Sequence, residues 1–308
     1  MKNDKKILIL AGGFSNEREI SLKTAKAVSK ILEYNKYKTK IVEPDGNLIK
    51  RLKEFRPSVI FNALHGRYGE DGYIQTVLEN QKIKYTHSGV ISSSLALDKV
   101  ISKKLFIKNN ILTPKYIVFN FKDKIKKDML INKVNKKLGF PVVIKPINEG
   151  SSVGVFICKK KNFFKKILYL KKNNEILIEE YIPGKEIQAA IMGNKKLGAI
   201  ELKPKRKFYD YKAKYDKKSN TEHIMPARIS KLNYKKVMDI SLKVHKLLKC
   251  RGTTRSDFRF YKNRFYLLEL NTQPGMTSLS LVPEIAKYNN ISFFELIKWM
   301  IRDASIHR

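Results

Sequence analysis

This chain of 308 residues has little that would suggest cross-linking or membrane insertion. Its two cysteines, Cys158 and Cys250, are far apart and form no C-x-x-C pair, so neither a disulfide framework nor a zinc site is expected and both thiols are read as reduced. The longest apolar runs, such as residues 7–11, fall well short of the ~20 residues that a membrane-spanning helix needs, and that first run lacks a signal-peptide pattern. The expected address is the cytoplasm, with no membrane partner. Acids are scarce too: 28 Asp and Glu face 64 Lys and Arg, a net charge of +36. Such a balance can mark a nucleic-acid binder. Here 52 of the 64 basic residues are lysine, spread along the whole chain with abundant Ile and Asn. A shared bias toward A- and T-rich codons on solvated faces accounts for that pattern, whereas a binding patch should be clustered and richer in arginine. No helix-turn-helix, zinc-finger or RNP-like signature occurs, so nucleic acid is not the expected partner. Also missing are the G-x-x-x-x-G-K-[ST] and G-x-G-x-x-G phosphate loops and the G-x-S-x-G elbow of Ser-His-Asp hydrolases.

What is present is an alternation of strands and helices. Residues 5–13 read as a buried strand ending in a glycine turn. Leu22, Ala25, Val28 and Leu32 then follow at helical spacing, with Asn16 and Glu19 placed to form a capping box. A second strand, Ser58 to Leu64, runs into His65-Gly-Arg-Tyr-Gly-Glu-Asp-Gly72, and Tyr73 to Glu79 reads as a helix. A parallel α/β sheet is expected for residues 1 to about 95. Beyond Pro114 come strands at 115–119, 141–146 and 175–182, then 187–192 and 199–202. The polar stretch 203–228 reads as a long functional loop. A helix from about Asn233 to Cys250 leads to a hairpin of strands 256–261 and 264–270.

Four features carry chemistry. On the hairpin, Asp257 stands on one strand, and Glu269 and Asn271, two apart, share a face of the other. Three oxygen donors can therefore converge on a hard cation such as Mg²⁺, or the acids can simply pair with neighbouring Arg255, Arg259 or a lysine. The loop after Lys145, Glu149-Gly-Ser-Ser-Val-Gly154, offers small residues and backbone amides to a phosphate, with Lys145 as a point charge. An apolar strand ends at Glu179 and Glu180 and then exposes backbone near Tyr181 and Ile182, an edge able to accept from an adenine amino group; acids in such places are otherwise solvated. His65, at the end of a strand, suits a polar site or a hydrogen-bonded core position.

In order along the chain, several segments resemble the D-alanine-D-alanine ligases of the ATP-grasp superfamily. They are Ala11-Gly-Gly-Phe-Ser-Asn-Glu-Arg-Glu-Ile-Ser21, Ala63-Leu-His-Gly-Arg-Tyr-Gly-Glu-Asp-Gly72, Asp98-Lys99, Lys145 to Gly154, Glu179 to Glu186, Phe208-Tyr-Asp-Tyr-Lys-Ala-Lys-Tyr215, Arg255-x-Asp257 and Glu269-Leu-Asn-Thr-x-Pro-Gly-Met-Thr277. The resemblance implies an α/β chain in three units: a parallel α/β substrate domain at 1–97, then a two-part ATP-grasp fold at 98–182 and 183–308, with 203–228 as its lid. It implies ATP between the two later units, with Lys99 and Lys145 near phosphates, Glu179 near adenine and Glu186 near ribose. Asp257, Glu269 and Asn271 would hold two Mg²⁺, or Mn²⁺. Glu17 would hold the ammonium of a first D-alanine, in one hydrogen-bonded set with Ser151 and Tyr215. Lys214 and Ser280 would address the carboxylate of the second, His65 would lie among the substrate-binding groups, and Arg255 with the Gly275 amide would stabilise the oxyanion. In the family a tyrosine at the position of Tyr215 goes with dipeptide formation, which implies synthesis of D-alanyl-D-alanine for the cell wall, and the enzymes are commonly homodimers. Lys212 stands where that tyrosine-rich segment more often carries an acid. Two competing readings are a carboxylate-amine ligase with another acceptor, distinguished by Glu17 and the 208–215 run, and a basic nucleic-acid binder on a ligase fold, distinguished by steeply salt-dependent duplex binding without ATP turnover.

Overall fold

The fold was described from a computed structural model, in which residues 5–123, 125–150, 153–204, 221–277 and 280–306 are described. In chain order the strands are β1 Lys6–Leu10, β2 Lys38–Val42, β3 Val59–Asn62, β4 Tyr116–Asn120, β5 Val142–Pro146, β6 Phe156–Cys158, β7 Glu175–Glu180, β8 Lys185–Met192, β9 Lys195–Lys203, β10 Glu222–Ile224, β11 Thr253–Tyr261 and β12 Arg264–Asn271. The helices are α1 Arg18–Tyr34, α2 Leu48–Phe55, α3 Tyr73–Asn80, α4 Val90–Leu97, α5 Lys99–Lys108, α6 Lys127–Lys137, α7 Lys160–Tyr169, α8 Lys231–Leu247, α9 Leu281–Tyr288 and α10 Phe293–Asp303.

β1 lies at the centre of a parallel sheet of order β2-β1-β3. Its continuous apolar run follows from being covered on both sides. Ile7 and Ile9 enter a core shared with α1, α9 and α10, while Leu8 and Leu10 enter a second core with Leu48, Leu52 and Leu78. Each fully buried side chain contributes about 1.5–3 kcal/mol of transfer free energy. The run at 58–64 is thus the third strand of this sheet rather than the second. Its unread neighbour β2 is an edge strand whose Lys38 and Lys40 face solvent, so it carries no apolar alternation to detect.

Two antiparallel sheets follow, of order β4-β7-β5-β6 and β10-β9-β8-β11-β12. Among the described residues, the core beneath the first is drawn from residues 117–178, including Phe119, Val134, Phe163 and Ile178. The second sheet instead separates two cores. Ile187, Ala189 and Phe258 pack with α8 and with Phe106 of α5, and Ala190, Leu197 and Leu202 join the core shared with β1. β10 lies within the stretch expected to be all loop and pairs antiparallel with β9. Tyr85 adds a further tie, bridging Ile60 of β3 and Ser305 after α10.

The expected capping box at Asn16 and Glu19 is not formed. The N-cap of α1 is Glu17, and no side chain caps the helix. The Glu17 carboxylate instead lines a large cavity, at the electropositive end of the helix. Among the described residues, no helix is long and apolar enough to cross a membrane.

Candidate active site

The two antiparallel sheets face each other across a narrow cleft. Lys145, Glu179, Tyr181, Ile182, Glu186, Asp257, Arg259, Leu268 and Glu269 line it. A larger cavity of about 1510 Å³ opens beside it, lined among others by Glu17, His65, Gly150, Arg255, Asn271, Gly275 and Ser280. Lys99, Glu149 and Glu269 line both spaces, so whatever occupies the cleft meets whatever occupies the cavity at these three residues.

The hairpin of β11 and β12 supplies most of the junction. Asp257 is paired in register with Glu269, and Arg255 with Asn271, but the next pair is Phe258 with Leu267, which leaves Leu268 as an extra residue in a bulge. The bulge changes the phase of the strand. Phe265 and Leu267 point into the core before it and Leu270 after it, and the cleft side passes to Leu268 and Glu269. Asn271, two residues on from Glu269, lines the larger cavity. Without that change, strict alternation from Leu267 would drive Glu269 and Asn271 into the core. Both pairing alternatives for the acids are realised. Arg255 holds Asp257 through two bonds of 2.7 and 3.0 Å, and the Lys99 ammonium is 3.5 Å from Glu269.

Lys99 follows Asp98, whose side chain caps α5 by accepting from the amides of Val100 and Ile101. Its Nζ also donates to the carbonyl of Glu149 at 2.6 Å, which fastens the glycine loop to the helix. Glu179 is not the solvated acid its position suggested. It is 2% exposed, with Oε1 2.6 Å from Lys103 and Oε2 2.7 Å from Lys145. Burial would raise its pKa, yet the two ammonium groups outweigh burial and hold it below the usual carboxylate range. Beyond β7 the Tyr181 amide donates to Pro141, and the Ile182 carbonyl accepts from Arg259. Arg259 also donates to the Gly184 carbonyl and stands 3.5 Å from Glu186.

In the cavity, Glu17 is flanked by two glycines. A Cβ on Gly66 would stand 2.8 Å from its Oε2, and one on Gly150 would stand 2.9 Å away. Gly66 also has a φ of +68°, which L side chains rarely adopt. His65 lies between Thr24, 3.4 Å from Nε2, and Glu70, 3.0 Å from Nδ1. Burial by itself lowers the His65 pKa, but the Glu70 hydrogen bond and charge, with Glu17 behind them, raise it above 6.5. Ser280 accepts from the Thr277 amide at 2.9 Å and packs against Gly275, where a Cβ would meet Ser280 Oγ at 3.0 Å. The structure therefore brings together Glu17, His65, Arg255, Gly275 and Ser280 in one cavity, and Lys145, Glu179, Tyr181, Ile182, Glu186 and Asp257 in the adjoining cleft. Asn271 lies on the cavity side, and Lys99 and Glu269 at the junction. Ser151, Lys214 and Tyr215, with Lys212, lie outside the described residues.

Three residues that hold this site were not singled out from sequence. Lys103 sits in a lysine-rich helix and reads as solvated charge. Arg259 reads only as a counterion for Asp257. Gln273, the variable residue of the Asn-Thr-x-Pro-Gly turn, is buried, bonds Asn62 at 2.8 Å and donates to the Leu64 carbonyl, tying that turn to the first sheet.

The donor set fits Mg²⁺. Asp257 and Glu269 supply carboxylates and Asn271 a carboxamide oxygen, all oxygen donors of the kind a hard cation takes, and the acids now balance Arg255 and Lys99. Among the described residues, no group of three or more His, Cys, Asp or Glu is placed to hold a metal ion by itself, so such a site needs the amide and a further ligand such as phosphate oxygens.

A family model described as "D-ala D-ala ligase C-terminus" matches residues 105–302. The D-alanine–D-alanine ligase of Pelagibacter ubique is 62% identical over 304 residues, covering 99% of each chain. That of Wolbachia pipientis wMel is 46% identical over 310 residues, covering 98% of this chain and 95% of its own. The solved structure of the Bacillus anthracis D-alanine–D-alanine ligase complexed with ATP matches with a TM-score of 0.83 at 30% identity, covering 97% of each chain. Two antiparallel sheets closing on a lysine-lined cleft, beside a parallel α/β unit, are an ATP-grasp fold. The chain belongs to the D-alanine–D-alanine ligase family.

Proposed function

We propose that this protein joins two D-alanine molecules into D-alanyl-D-alanine at the expense of ATP, through an acyl phosphate, in the cytoplasm and for peptidoglycan precursor synthesis. The observation that carries the reading is the meeting of cleft and cavity at Lys99, Glu149 and Glu269. A nucleotide in the cleft would present its terminal phosphate there to a carboxylate in the cavity.

The nucleotide would lie with its base against Glu179, Tyr181 and Ile182, its ribose at Glu186 and its phosphates between Lys99 and Lys145. Asp257, Glu269 and Asn271 would hold two Mg²⁺, or Mn²⁺; when bound, the metal offsets the charge that develops on the transferring phosphoryl group. Glu17 would anchor the ammonium of the first D-alanine, with Ser151 and Tyr215 completing its hydrogen-bonded set. That carboxylate attacks the γ-phosphorus and ADP leaves. The free amine of the second D-alanine, its own carboxylate addressed by Lys214 and Ser280, then attacks the acyl carbon. Arg255 and the Gly275 amide would donate to the tetrahedral oxyanion, and collapse expels phosphate. His65, on the cavity wall, would lie among the substrate-binding groups. Residues 203–228 would exclude water from the acyl phosphate. The working units would be 1–97, 98–182 and 183–308, and the assembly a homodimer.

The decisive measurement is phosphate release from ATP with and without D-alanine and Mg²⁺, with the product identified by mass. Release should depend on both, and the dimer of alanine should appear. Release indifferent to D-alanine would overturn the reading.

A further inference from the structure

We propose that Lys103 is a positioning residue for nucleotide selection: from inside the protein it fixes the Glu179 carboxylate, through which a purine bearing an amino group at position 6 is chosen over one bearing a carbonyl. The inference rests on the reading of the cleft as the ATP site and extends it to a residue behind the cleft wall.

Lys103 is fully buried on α5. Its ammonium stands 2.6 Å from Glu179 Oε1, 2.5 Å from Thr113 Oγ1 and 3.5 Å from the Pro114 carbonyl. Thr113 is itself anchored, donating to the Leu267 carbonyl at 2.7 Å. On the other side, Lys145 grips Glu179 Oε2 at 2.7 Å. Glu179 and Lys145 line the cleft, with Lys103 behind them. The carboxylate is therefore clamped between cations from two elements, α5 and β5, and the Lys103 arm reaches through Thr113 to the hairpin strand that carries Glu269.

The clamp matters because a buried carboxyl can answer a base in two ways. Ionised, it only accepts, and each oxygen keeps a second lone pair for an adenine amino group. Protonated, it also donates, and suits the carbonyl of a 6-oxopurine. Burial by itself favours the protonated form, and the two ammonium groups reverse that preference. Burial of Lys103 lowers its own pKa to about 8 despite Glu179. The other groups facing it are Lys145 from β5, Glu180 from β7 and the Tyr116 ring of β4, 5.6 Å away. Loss of its proton would release one side of the clamp.

The test compares ATP with ITP as substrates in wild type and in Lys103→Met, with calorimetric ATP binding alongside. With Glu179 no longer held from behind, Lys103→Met should raise the KM for ATP by ~10-fold, the loss expected when a charged group is misplaced for its hydrogen bond to the base. The ratio of kcat/KM for ATP over ITP should fall, while the D-alanine KM stays within about twofold, since Glu17 is untouched. A variant that keeps the wild-type ratio overturns the inference. Should Lys103→Met fail to fold, Thr113→Val, which removes a neutral partner of the same ammonium, must lower the ratio in the same direction, and an unchanged ratio there overturns it equally. Failure of wild type to bind ATP at all would instead overturn the nucleotide reading beneath it.

Discussion

His65 shows how a single residue can be chemically visible in a sequence and still be incompletely read. Its place at the end of a strand beside a glycine suited a polar site and a hydrogen-bonded core position alike, and only packing brings Glu70 and Thr24 onto its two nitrogens. Because its pKa is raised in the folded state, the imidazole binds its proton more firmly there than in the unfolded chain. The pair's stabilisation is complete below the unfolded value near 6.5 and is lost as pH rises through the raised folded value. Glu70→Gln should move the His65 titration, followed by NMR, to lower pH than in wild type, and should flatten the fall of Tm on the alkaline side of 6.5. An unmoved titration would mean that Glu70 does not hold that proton. Glu17, Lys145 and Arg255 were legible because their segments carry recognisable neighbours. Lys103 was not, because a buried ammonium and a solvated one have the same letter, and only the carboxylate 2.6 Å away distinguishes them.

The hairpin β11–β12 was legible in outline, down to its turn at Lys262 and Asn263, and period-2 spacing put Glu269 and Asn271 on one strand opposite Asp257, leaving a cation site and simple ion pairing both open. Its bulge was not, since Leu267-Leu268 reads as an unremarkable apolar pair until the register shows which leucine is the extra one. That bulge keeps Glu269 on the cleft side and Asn271 at the cavity, away from the core beneath, so replacing either should leave packing nearly intact. Glu269→Gln and Asn271→Ala are expected to raise the Mg²⁺ concentration for half-maximal activity and lower kcat, with Tm within a few degrees of wild type. If neither variant alters the magnesium dependence, these residues do not belong to the metal site. At the start of α1 the sequence misled in the opposite sense: Asn16 and Glu19 have the right spacing for a reciprocal cap, but Glu17 takes the cap position and faces the cavity. Helix-end rules describe backbone satisfaction, and here a carboxylate that lines the cavity took the cap position instead.

At the scale of the whole molecule, the α/β character and the two-part fold followed from alternation and motif order, whereas the division of the hydrophobic interior did not. Periodicity tells which side of an element is buried, not against which partner. The charge was also legible only as a sum. Spread over the surface, +36 charges repel one another, and salt should relieve that repulsion. Raising ionic strength from 0.01 to 0.1 M shortens the screening length from about 30 Å to about 10 Å, so Tm should rise over that interval. A Tm that falls would show that attractive pairs dominate instead. The core closed within residues 117–178 has a different consequence, because the first and last sheets share their apolar interior and, among the described residues, this unit shares none of it. Free-energy coupling across its border is weaker than within it, so the unit can open as a foldon. Its amides would then exchange with solvent deuterium through an opening of their own, slowed by nucleotide in the cleft and otherwise independent of how tightly the remaining sheets are locked together.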